Sequence, residues 1–262
     1  MKISILISSY NKGNYLENCI LSCLNQKYKD YEVILIDNES TDKTESILKK
    51  YREHIIIRSE PKISKYSPVN QIDILNKALI ISSGEIICFL DADDYFENNK
   101  LEELNKLFLD NCEVSVIFDK PKILDNDIFS HFKIKKKFNK HIWPTTHPTS
   151  SISIKKSFLK KLFENKIFQK YPLLEIDFII TNLSKMIYKN FLTTNLNLTV
   201  YRKVSDGIMS KIKKFSINWW KKRLQAHYFI FDIYKENEIE YKKNYDFYIT
   251  KITVWLLNKK IK

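Results

Sequence analysis

Residues 3–44 read ISILISSYNKGNYLENCILSCLNQKYKDYEVILIDNESTDKT and carry two rounds of an alternating pattern. Apolar runs at Ile3–Ser8 and Glu32–Ile36 predict strands, and apolar residues at helical spacing predict helices over Asn14–Gln26 and Asp42–Tyr51. A strand whose apolar run is uninterrupted is typical of a parallel strand that is covered on both faces. The stretch therefore predicts the start of a parallel sheet flanked by helices.

The alternation continues outward to residue 119 and then loosens. Further strands are predicted at Ile55–Ile57, Glu85–Leu90, Val114–Phe118, Ser151–Ile154 and Leu192–Tyr201. Further helices are predicted at Val69–Ile81, Asn98–Leu109, Lys155–Glu164, Glu175–Tyr188 and, as one long helix, Phe215–Leu257. Together these elements predict an α/β fold with a mostly parallel, Rossmann-like sheet and a C-terminal helical extension.

Composition excludes several classes of protein. With 262 residues, of which 44% are apolar, the chain can bury a sizeable core, so wholesale disorder is excluded. No apolar run is long enough to span a membrane, and the first residues lack the cationic segment and cleavage site of a secretory signal. Three glycines are too few for a glycine-rich phosphate loop. The four cysteines show no zinc-site pairing, which predicts a reduced, cytoplasmic protein with buried thiols.

Charge is distributed unevenly along the chain. The net charge is +13, with −2 in residues 1–100 and +15 in residues 101–262. The second part is therefore expected to meet anions. Only four of the cations are arginine, which argues against sequence-specific reading of DNA bases. We expect no nucleic-acid partner, although a basic nucleic-acid-binding protein stays open as an alternative.

Polar clusters follow three of the predicted strands. They are Ser8–Asn11, Asp37–Ser40 and Asp91–Asp94, and the carboxyl ends of parallel strands meet at one edge of the sheet, where ligands bind. Carboxylates packed as in Asp91–Asp94 repel one another unless they share a cation, and Mg²⁺ or Mn²⁺ commonly bridges such groups to phosphates. A capped turn is the structural alternative.

A second acidic pair, Glu175 and Asp177, lies in an apolar stretch. Burial raises the pKa of a carboxyl group and can make it a general base, whereas the structural alternative is a helix N-terminus that favours acidic residues. The polar loop at Trp143–Ser151 is a candidate lining for a sugar pocket, with a surface loop as the alternative, and His147 is not expected to bind a metal.

Two stretches carry a resemblance to a known family. Residues 3–44 and Asn76–Phe96, which reads NKALIISSGEIICFLDADDYF, resemble the family 2 glycosyltransferases, whose fold is called GT-A. The resemblance implies transfer of a sugar from a nucleoside diphosphate donor, with UDP-sugars favoured, usually with inversion and with Mn²⁺ or Mg²⁺. The acceptor would be a hydroxyl of a glycan or of a lipid-linked molecule, in the synthesis of surface polysaccharide or a glycoconjugate. A catalytically idle relative that binds nucleotide sugars is the rival interpretation.

Carried over to this sequence, the resemblance gives each site residue a role. Asp93 would bind the metal, and Asp177 or Glu175 would be the catalytic base, with Asp177 preferred. The donor nucleotide would contact Ser8, Tyr10, Asp37, Asn70, Asp91, Ala92 and Arg202. The sequence departs from the family pattern at Asp37–Ser40, at Ser8, where a proline is frequent, and after Tyr201, where an expected histidine is missing. Arg202 or Lys203 is therefore expected to hold the diphosphate.

The resemblance also divides the chain. Residues 1–119 would bind the nucleotide sugar, residues 120–209 would bind the acceptor, and residues 210–262 would form the helical extension. That extension mixes aromatic residues with lysines. We expect it to pack on the catalytic domain or on a second copy as a homodimer, with peripheral attachment to the cytoplasmic face of a membrane as the alternative.

Overall fold

The computed structural model describes residues 1–133, 144–164, 167–207, 210 and 212–259. Among these residues, one sheet has seven strands: β1 (Ile3–Ser9), β2 (Tyr31–Asp37), β3 (Ile56–Ser59), β4 (Ile86–Asp91), β6 (Val116–Phe118), β9 (Ile152–Lys155) and β10 (Phe191–Thr193). Their order across the sheet is β10-β6-β9-β4-β1-β2-β3.

The large sheet is mostly parallel, as the sequence predicted. Neighbours among β3, β2, β1 and β4 pair in parallel, and so do β6 and β10. Strand β9 is the exception, because it lies antiparallel between β4 and β6. The strand predicted at Ser151–Ile154 therefore lies in the same sheet as strands from residues 1–119. One sheet thus extends across the predicted boundary at residue 119.

Helices cover both faces of this sheet, which explains the uninterrupted apolar strands. One face packs against α1 (Leu16–Leu24), α2 (Thr44–Tyr51) and α4 (Lys100–Asp110). The other face packs against α3 (Ser67–Ile81), α5 (Lys156–Glu164), α6 (Ile167–Lys170), α7 (Ile176–Asn182) and α8 (Ile217–Glu236). A π-helical turn at Leu183–Tyr188 continues α7. The predicted helices agree with these bounds to within a few residues, apart from the long C-terminal helix that is corrected below.

A smaller sheet was not anticipated. It has the order β5-β11-β7-β8 and consists of β5 (Tyr95–Phe96), β7 (Lys122–Asp125), β8 (Ile128–His131) and β11 (Thr199–Arg202). Strands β7 and β8 form a hairpin, whose turn residues Asn126 and Asp127 adopt φ angles of 46° and 62°. Asparagine and aspartate tolerate this left-handed conformation better than most residues, so the local signal for the hairpin was present.

The single strand predicted at Leu192–Tyr201 is wrong. The segment forms two strands in different sheets, because β10 pairs with β6 whereas β11 pairs with β5 and β7. Residues 194–197, Thr-Asn-Leu-Asn, form the connection, and the Thr194 hydroxyl accepts a hydrogen bond from the Leu196 amide at 3.2 Å. Turn-forming polar residues thus interrupt an apparently alternating pattern.

The single long helix predicted at Phe215–Leu257 is also wrong. The chain forms α8 and a separate helix, α9 (Tyr245–Lys259), and Glu238 between them has a φ of 55°. Ser216 caps α8 by accepting a hydrogen bond from the Trp219 amide at 3.3 Å. Helix α8 packs into the main core through Phe229, Ile230 and Ile233, and α9 lies against α8.

All four cysteines are free; Cys19, Cys23 and Cys88 are buried, whereas Cys112 is exposed, contrary to the expectation of buried thiols throughout. In the described part of the chain, no helix combines the length and the apolar content that crossing a bilayer requires.

Candidate active site

Strands β4, β1 and β2 are neighbours, and their carboxyl ends meet as the sequence predicted. The register pairs Ser8 with Asp91 and Ser9 with Asp37. Beside these ends lies a cavity of about 570 Å³, a usual size for a small-molecule site. Its lining includes nine of the predicted site residues: Ser8, Tyr10, Asn70, Asp91, Ala92, Asp93, Glu175, Asp177 and Arg202.

Asp37 is the predicted site residue that is not part of this lining in the described structure. Its side chain is buried at the end of β2, and its two carboxylate oxygens accept hydrogen bonds from the Ser40 amide at 2.8 Å and the Ser40 hydroxyl at 2.6 Å. Asp37 therefore shapes the turn after β2.

Asn70 lines the cavity but uses its amide group locally. The side-chain oxygen accepts hydrogen bonds from the backbone amides of Ile63 and Ser64 at 3.1 and 2.9 Å, and the side-chain nitrogen donates to the Ser64 carbonyl at 2.8 Å. These bonds fix the loop before α3, from which Lys62 and Lys65 reach the cavity. The Lys62 ammonium lies 3.3 Å from the centre of the Tyr10 ring.

The carboxylates at the end of β4 face different partners. Asp91 accepts hydrogen bonds from the Gln71 side chain at 2.7 Å and the Ser8 hydroxyl at 3.2 Å. Asp94 is not part of the cavity lining and accepts hydrogen bonds from the Ser150 hydroxyl at 2.6 Å and the Arg202 amide at 2.8 Å. Burial, and then the neighbouring carboxylates, raise the pKa of Asp91 to about 7 and that of Asp94 well above its usual range.

Asp93 forms an ion pair with a lysine side chain, Lys12. The Lys12 ammonium lies 2.9 Å from the Asp93 carboxylate and also 2.9 Å from the carboxylate of Asp206, in the loop after β11. Burial opposes the charge of Lys12, but the two carboxylates outweigh it, and the pKa of Lys12 is raised overall. Two carboxylates from distant parts of the chain thus converge on one cationic position at the cavity wall. Sequence reasoning missed Lys12 and Asp206.

A buried network supports the acidic turn from behind. The fully buried Lys100 ammonium contacts the Asp119 carboxylate at 2.8 Å, the Ser150 carbonyl at 2.8 Å and the Thr199 hydroxyl at 2.7 Å. The Ser150 hydroxyl in turn accepts a hydrogen bond from the Asp91 amide at 3.0 Å and donates to Asp94. Lys100 therefore positions the carboxylates through Ser150, a role that no local sequence pattern indicated.

The second acidic pair, Glu175 and Asp177, lines the same cavity. Glu175 immediately precedes α7 and forms an ion pair with Lys222 of α8. Asp177, in the first turn of α7, accepts a hydrogen bond from the Phe178 amide at 2.6 Å. Burial, and then the negative charge of Glu175, raise the pKa of Asp177 to about 8, although Lys222 acts in the opposite direction. The two acids thus lie in different electrostatic surroundings.

Arg202 and the polar loop complete the lining. The Arg202 guanidinium donates to the Asp93 carbonyl at 3.2 Å and lies 5.1 Å from the centre of the Tyr15 ring. From the loop predicted to line a sugar pocket, Thr146, Pro148 and Thr149 reach the cavity, whereas Trp143 lies outside the described residues. His147 is buried beside the Asp119 carbonyl, and burial lowers its pKa to about 4.

Comparison with known proteins identifies the family. A family model described as glycosyl transferase family 2 matches residues 4–169, which contain the carboxyl ends of β1, β2 and β4 and the acidic turn after β4. The chain belongs to this family. Among curated relatives, an uncharacterised glycosyltransferase of Methanocaldococcus jannaschii is 30% identical over 230 residues, covering 81% of this chain and 74% of the relative.

A second relative has a named activity. The poly(ribitol-phosphate) β-N-acetylglucosaminyltransferase TarP of Staphylococcus aureus is 30% identical over 166 residues, covering 54% of this chain and 50% of TarP. The chain spans about half the length of several of the curated relatives that it matches.

Solved structures show that the fold is of the GT-A type. S. aureus TarS in complex with UDP-GlcNAc superposes with a TM-score of 0.61 at 16% identity, over 97% of this chain and 70% of that chain. A mannosyltransferase of Pyrobaculum calidifontis, in complex with GDP-Man and Mn²⁺, superposes with a TM-score of 0.56 at 17% identity, over 97% of this chain and 69% of that chain. The predicted fold is therefore confirmed.

The crowded carboxylates predict that stability depends on pH. The pKa of Asp91 is about 7 in the folded protein, whereas that of an unfolded aspartate is about 4. The folded state therefore binds more protons between these values, so its stability falls as pH rises from about 4 to 7. Asp91→Asn removes the charge and should stabilise the metal-free protein at pH 8 by about 1 kcal/mol or more, with little gain at pH 4.5.

Thermal unfolding in a chelator at both pH values measures this difference. Asp110→Asn is the matched control, because Asp110 is exposed at the end of α4 and should show no such change. An Asp91→Asn protein that is less stable than wild type at pH 8 would mean that the bonds from Ser8 and Gln71 outweigh the repulsion.

Proposed function

We propose that this protein is an inverting, metal-dependent glycosyltransferase of the cytoplasm that transfers a sugar from a UDP-sugar to a hydroxyl of a glycan or lipid-linked acceptor. The observation that carries the proposal is that Asp93, Lys12, Arg202 and Asp177 all line one cavity. Asp93, through a bound metal ion, and the cationic side chains suit a diphosphate. Asp177 suits the removal of a proton from an acceptor hydroxyl.

The wall beside β1 suits a nucleoside diphosphate. Its charged lining combines Lys62, Lys65, Lys12 and Arg202 with the carboxylates at the end of β4. Cationic side chains favour a diphosphate, and the Tyr10 ring, 41% exposed, offers a surface on which a base can stack. In this proposal Asp37 and Asn70 act by holding the loops that surround the nucleotide. The TarS structures with UDP and UDP-GlcNAc support the choice of donor.

A divalent cation fits between Asp93 and Asp206. The Lys12 ammonium already occupies a position within 2.9 Å of both carboxylates and so stands in for a cation there. No group of three or more candidate metal ligands occurs among the described residues, but Mg²⁺ and Mn²⁺ are commonly bound by one or two carboxylates together with substrate phosphates. The Mn²⁺ in the mannosyltransferase structure supports this assignment. When bound, the cation supplies charge that stabilises the departing diphosphate.

Asp177 is the proposed base. Its raised pKa, about 8, lies near neutral pH, as suits a general base, and cations that approach with the donor would bring this pKa down. Asp177 would take the proton from the acceptor hydroxyl, and the hydroxyl oxygen would then attack the anomeric carbon on the face opposite the diphosphate. Arg202 and Lys12 would hold the diphosphate as it leaves. Glu175 is engaged by Lys222 and would keep the first turn of α7 in place.

The positive net charge of residues 101–262 indicates the class of acceptor. Residues 101–262, which include the proposed acceptor half 120–209, carry a net charge of +15. An anionic polymer would be attracted to such a surface. TarP, and a second relative named as a poly(ribitol-phosphate) β-glucosyltransferase, carry a polyol phosphate acceptor in their names. A phosphate-containing surface polysaccharide is therefore the acceptor class that we propose.

The assignment of the base is tested by paired substitutions. Asp177→Asn should lower kcat by about 10²-fold to 10⁴-fold, because a general base contributes that much, while the Kd of the donor stays unchanged. Glu175→Gln should reduce kcat far less. Steady-state turnover and calorimetric donor binding measure the two quantities, and Asp110→Asn serves as the control. If Glu175→Gln abolishes turnover and Asp177→Asn does not, the base is Glu175.

The position of Lys12 predicts a second effect. If Lys12 and the metal compete for Asp93 and Asp206, Lys12→Met should tighten Mn²⁺ binding to the donor-free protein by about tenfold, which is 1.4 kcal/mol. Titration of free Mn²⁺ by electron paramagnetic resonance measures this affinity without any turnover. Lys49→Met, at a side chain on the surface of α2, is the control. Unchanged or weaker Mn²⁺ binding in Lys12→Met would place the metal elsewhere.

A further inference from the structure

Helix α9 has an exposed apolar face that nothing in the described structure covers. Six of its large apolar side chains are between 49% and 88% exposed. They recur at helical spacing and so share one face, which we call the outer stripe: Tyr245, Tyr248, Ile249, Ile252, Trp255 and Leu256. A contiguous patch of this kind marks an interaction site more often than isolated exposed residues do.

The opposite face of α9 already has its partner. Phe247, Thr250 and Val254 are buried, and the Phe247 ring packs on Phe231 of α8 with ring centres 4.8 Å apart. The helix is therefore apolar on two sides, and packing against α8 satisfies only one of them. This finding explains why the sequence pattern of the helix wraps most of its surface instead of forming one stripe.

The charges around the outer stripe are positive. Lys251 is exposed, and the Lys259 ammonium lies 3.9 Å from the centre of the Trp255 ring. Residues 251–262 contain four lysines and no carboxylate. Asp246, the one acidic residue of α9, forms an ion pair with Arg223 of α8, and its carboxylate lies 2.9 Å from the His227 ring. The surroundings of the stripe thus favour an anionic partner.

We propose that the outer stripe binds the surface of a membrane that contains anionic lipids. Tryptophan and tyrosine suit the boundary between headgroups and acyl chains, apolar side chains can enter it, and lysines beside them meet the lipid phosphates. A second copy of the chain fits less well. Two stripes facing each other would bring their lysines together, and the one acidic residue of α9, Asp246, is already paired with Arg223.

Helix α8 connects this surface to the candidate active site. Its consecutive residues Lys222 and Arg223 pair with Glu175 in the cavity wall and with Asp246 of α9, respectively. Two adjacent residues in one turn of α8 thus hold Glu175 of the cavity wall and Asp246 of α9. A protein bound through α9 would hold its cavity at a set position relative to the bilayer, whichever acceptor it uses.

Vesicle flotation of the full chain tests the proposal. The wild-type protein should float with phosphatidylcholine vesicles that contain roughly one third phosphatidylglycerol, and much less with phosphatidylcholine alone. Ile252→Glu places a charge in the middle of the stripe and should weaken binding to the anionic vesicles by about tenfold or more. Lys251→Glu combined with Lys259→Glu should abolish the preference for anionic vesicles.

Ile80→Glu is the matched control, because Ile80 is an exposed isoleucine on α3. Ile80→Glu should bind vesicles as the wild type does. Ile252→Glu and Ile80→Glu should both keep the wild-type midpoint of thermal unfolding. Turnover of a water-soluble acceptor should be unchanged in Ile252→Glu. A loss of vesicle binding can therefore be distinguished from a loss of the proposed activity.

Three results would overturn the proposal. The first is a wild-type protein that does not bind anionic vesicles. The second is an Ile252→Glu protein that binds them as well as the wild type. The third is a wild-type dimer in analytical ultracentrifugation that Ile252→Glu converts to monomer, because a second copy would then cover the stripe.

Discussion

The organisation of the site depends on the repulsion among the three carboxylates at the end of β4. Burial and the neighbouring carboxylates disfavour the charged forms of Asp91 and Asp94, and Asp93 contributes to this repulsion, so each carboxylate has its own compensating partner. Asp91 receives hydrogen bonds from Ser8 and Gln71, Asp94 is held by Ser150, and Asp93 is paired with Lys12. Of the three, Asp93 is the one whose compensation is a side chain able to move away and leave its place to another cation.

The compensating groups come from distant parts of the chain and therefore also join the fold together. Lys100 of α4 connects Asp119 after β6, Ser150 before β9 and Thr199 of β11 in one buried cluster. Breaking a buried ion pair of this kind is costly, because the remaining charge has no partner. The acidic turn thus rests on a support that reaches both sheets, which favours a rigid site of the kind that catalysis requires.

The sequence predicted the parts of this arrangement that local patterns encode. The helices and the strands of the large sheet up to residue 119 follow from apolar periodicity, and the meeting of Ser8 with Asp91 follows from the parallel order of the strands. Lys12, Asp206 and Lys222 could not be predicted in this way. Lys12 and Asp206 are 194 positions apart, and their contact exists only once the loop after β11 closes on β1. The break between α8 and α9 was missed because aromatic and apolar residues continue on both sides of it.

In the proposed mechanism, the cavity binds a nucleoside diphosphate through a cation held by Asp93. This binding mode is tested by calorimetric titration of UDP into wild-type protein and Asp93→Asn, each with Mn²⁺ and with a chelator. We expect Mn²⁺ to tighten UDP binding to the wild type by about tenfold or more, and Asp93→Asn to lose this gain. Equal affinity of the wild type with Mn²⁺ and with chelator, or an undiminished gain in Asp93→Asn, would contradict it.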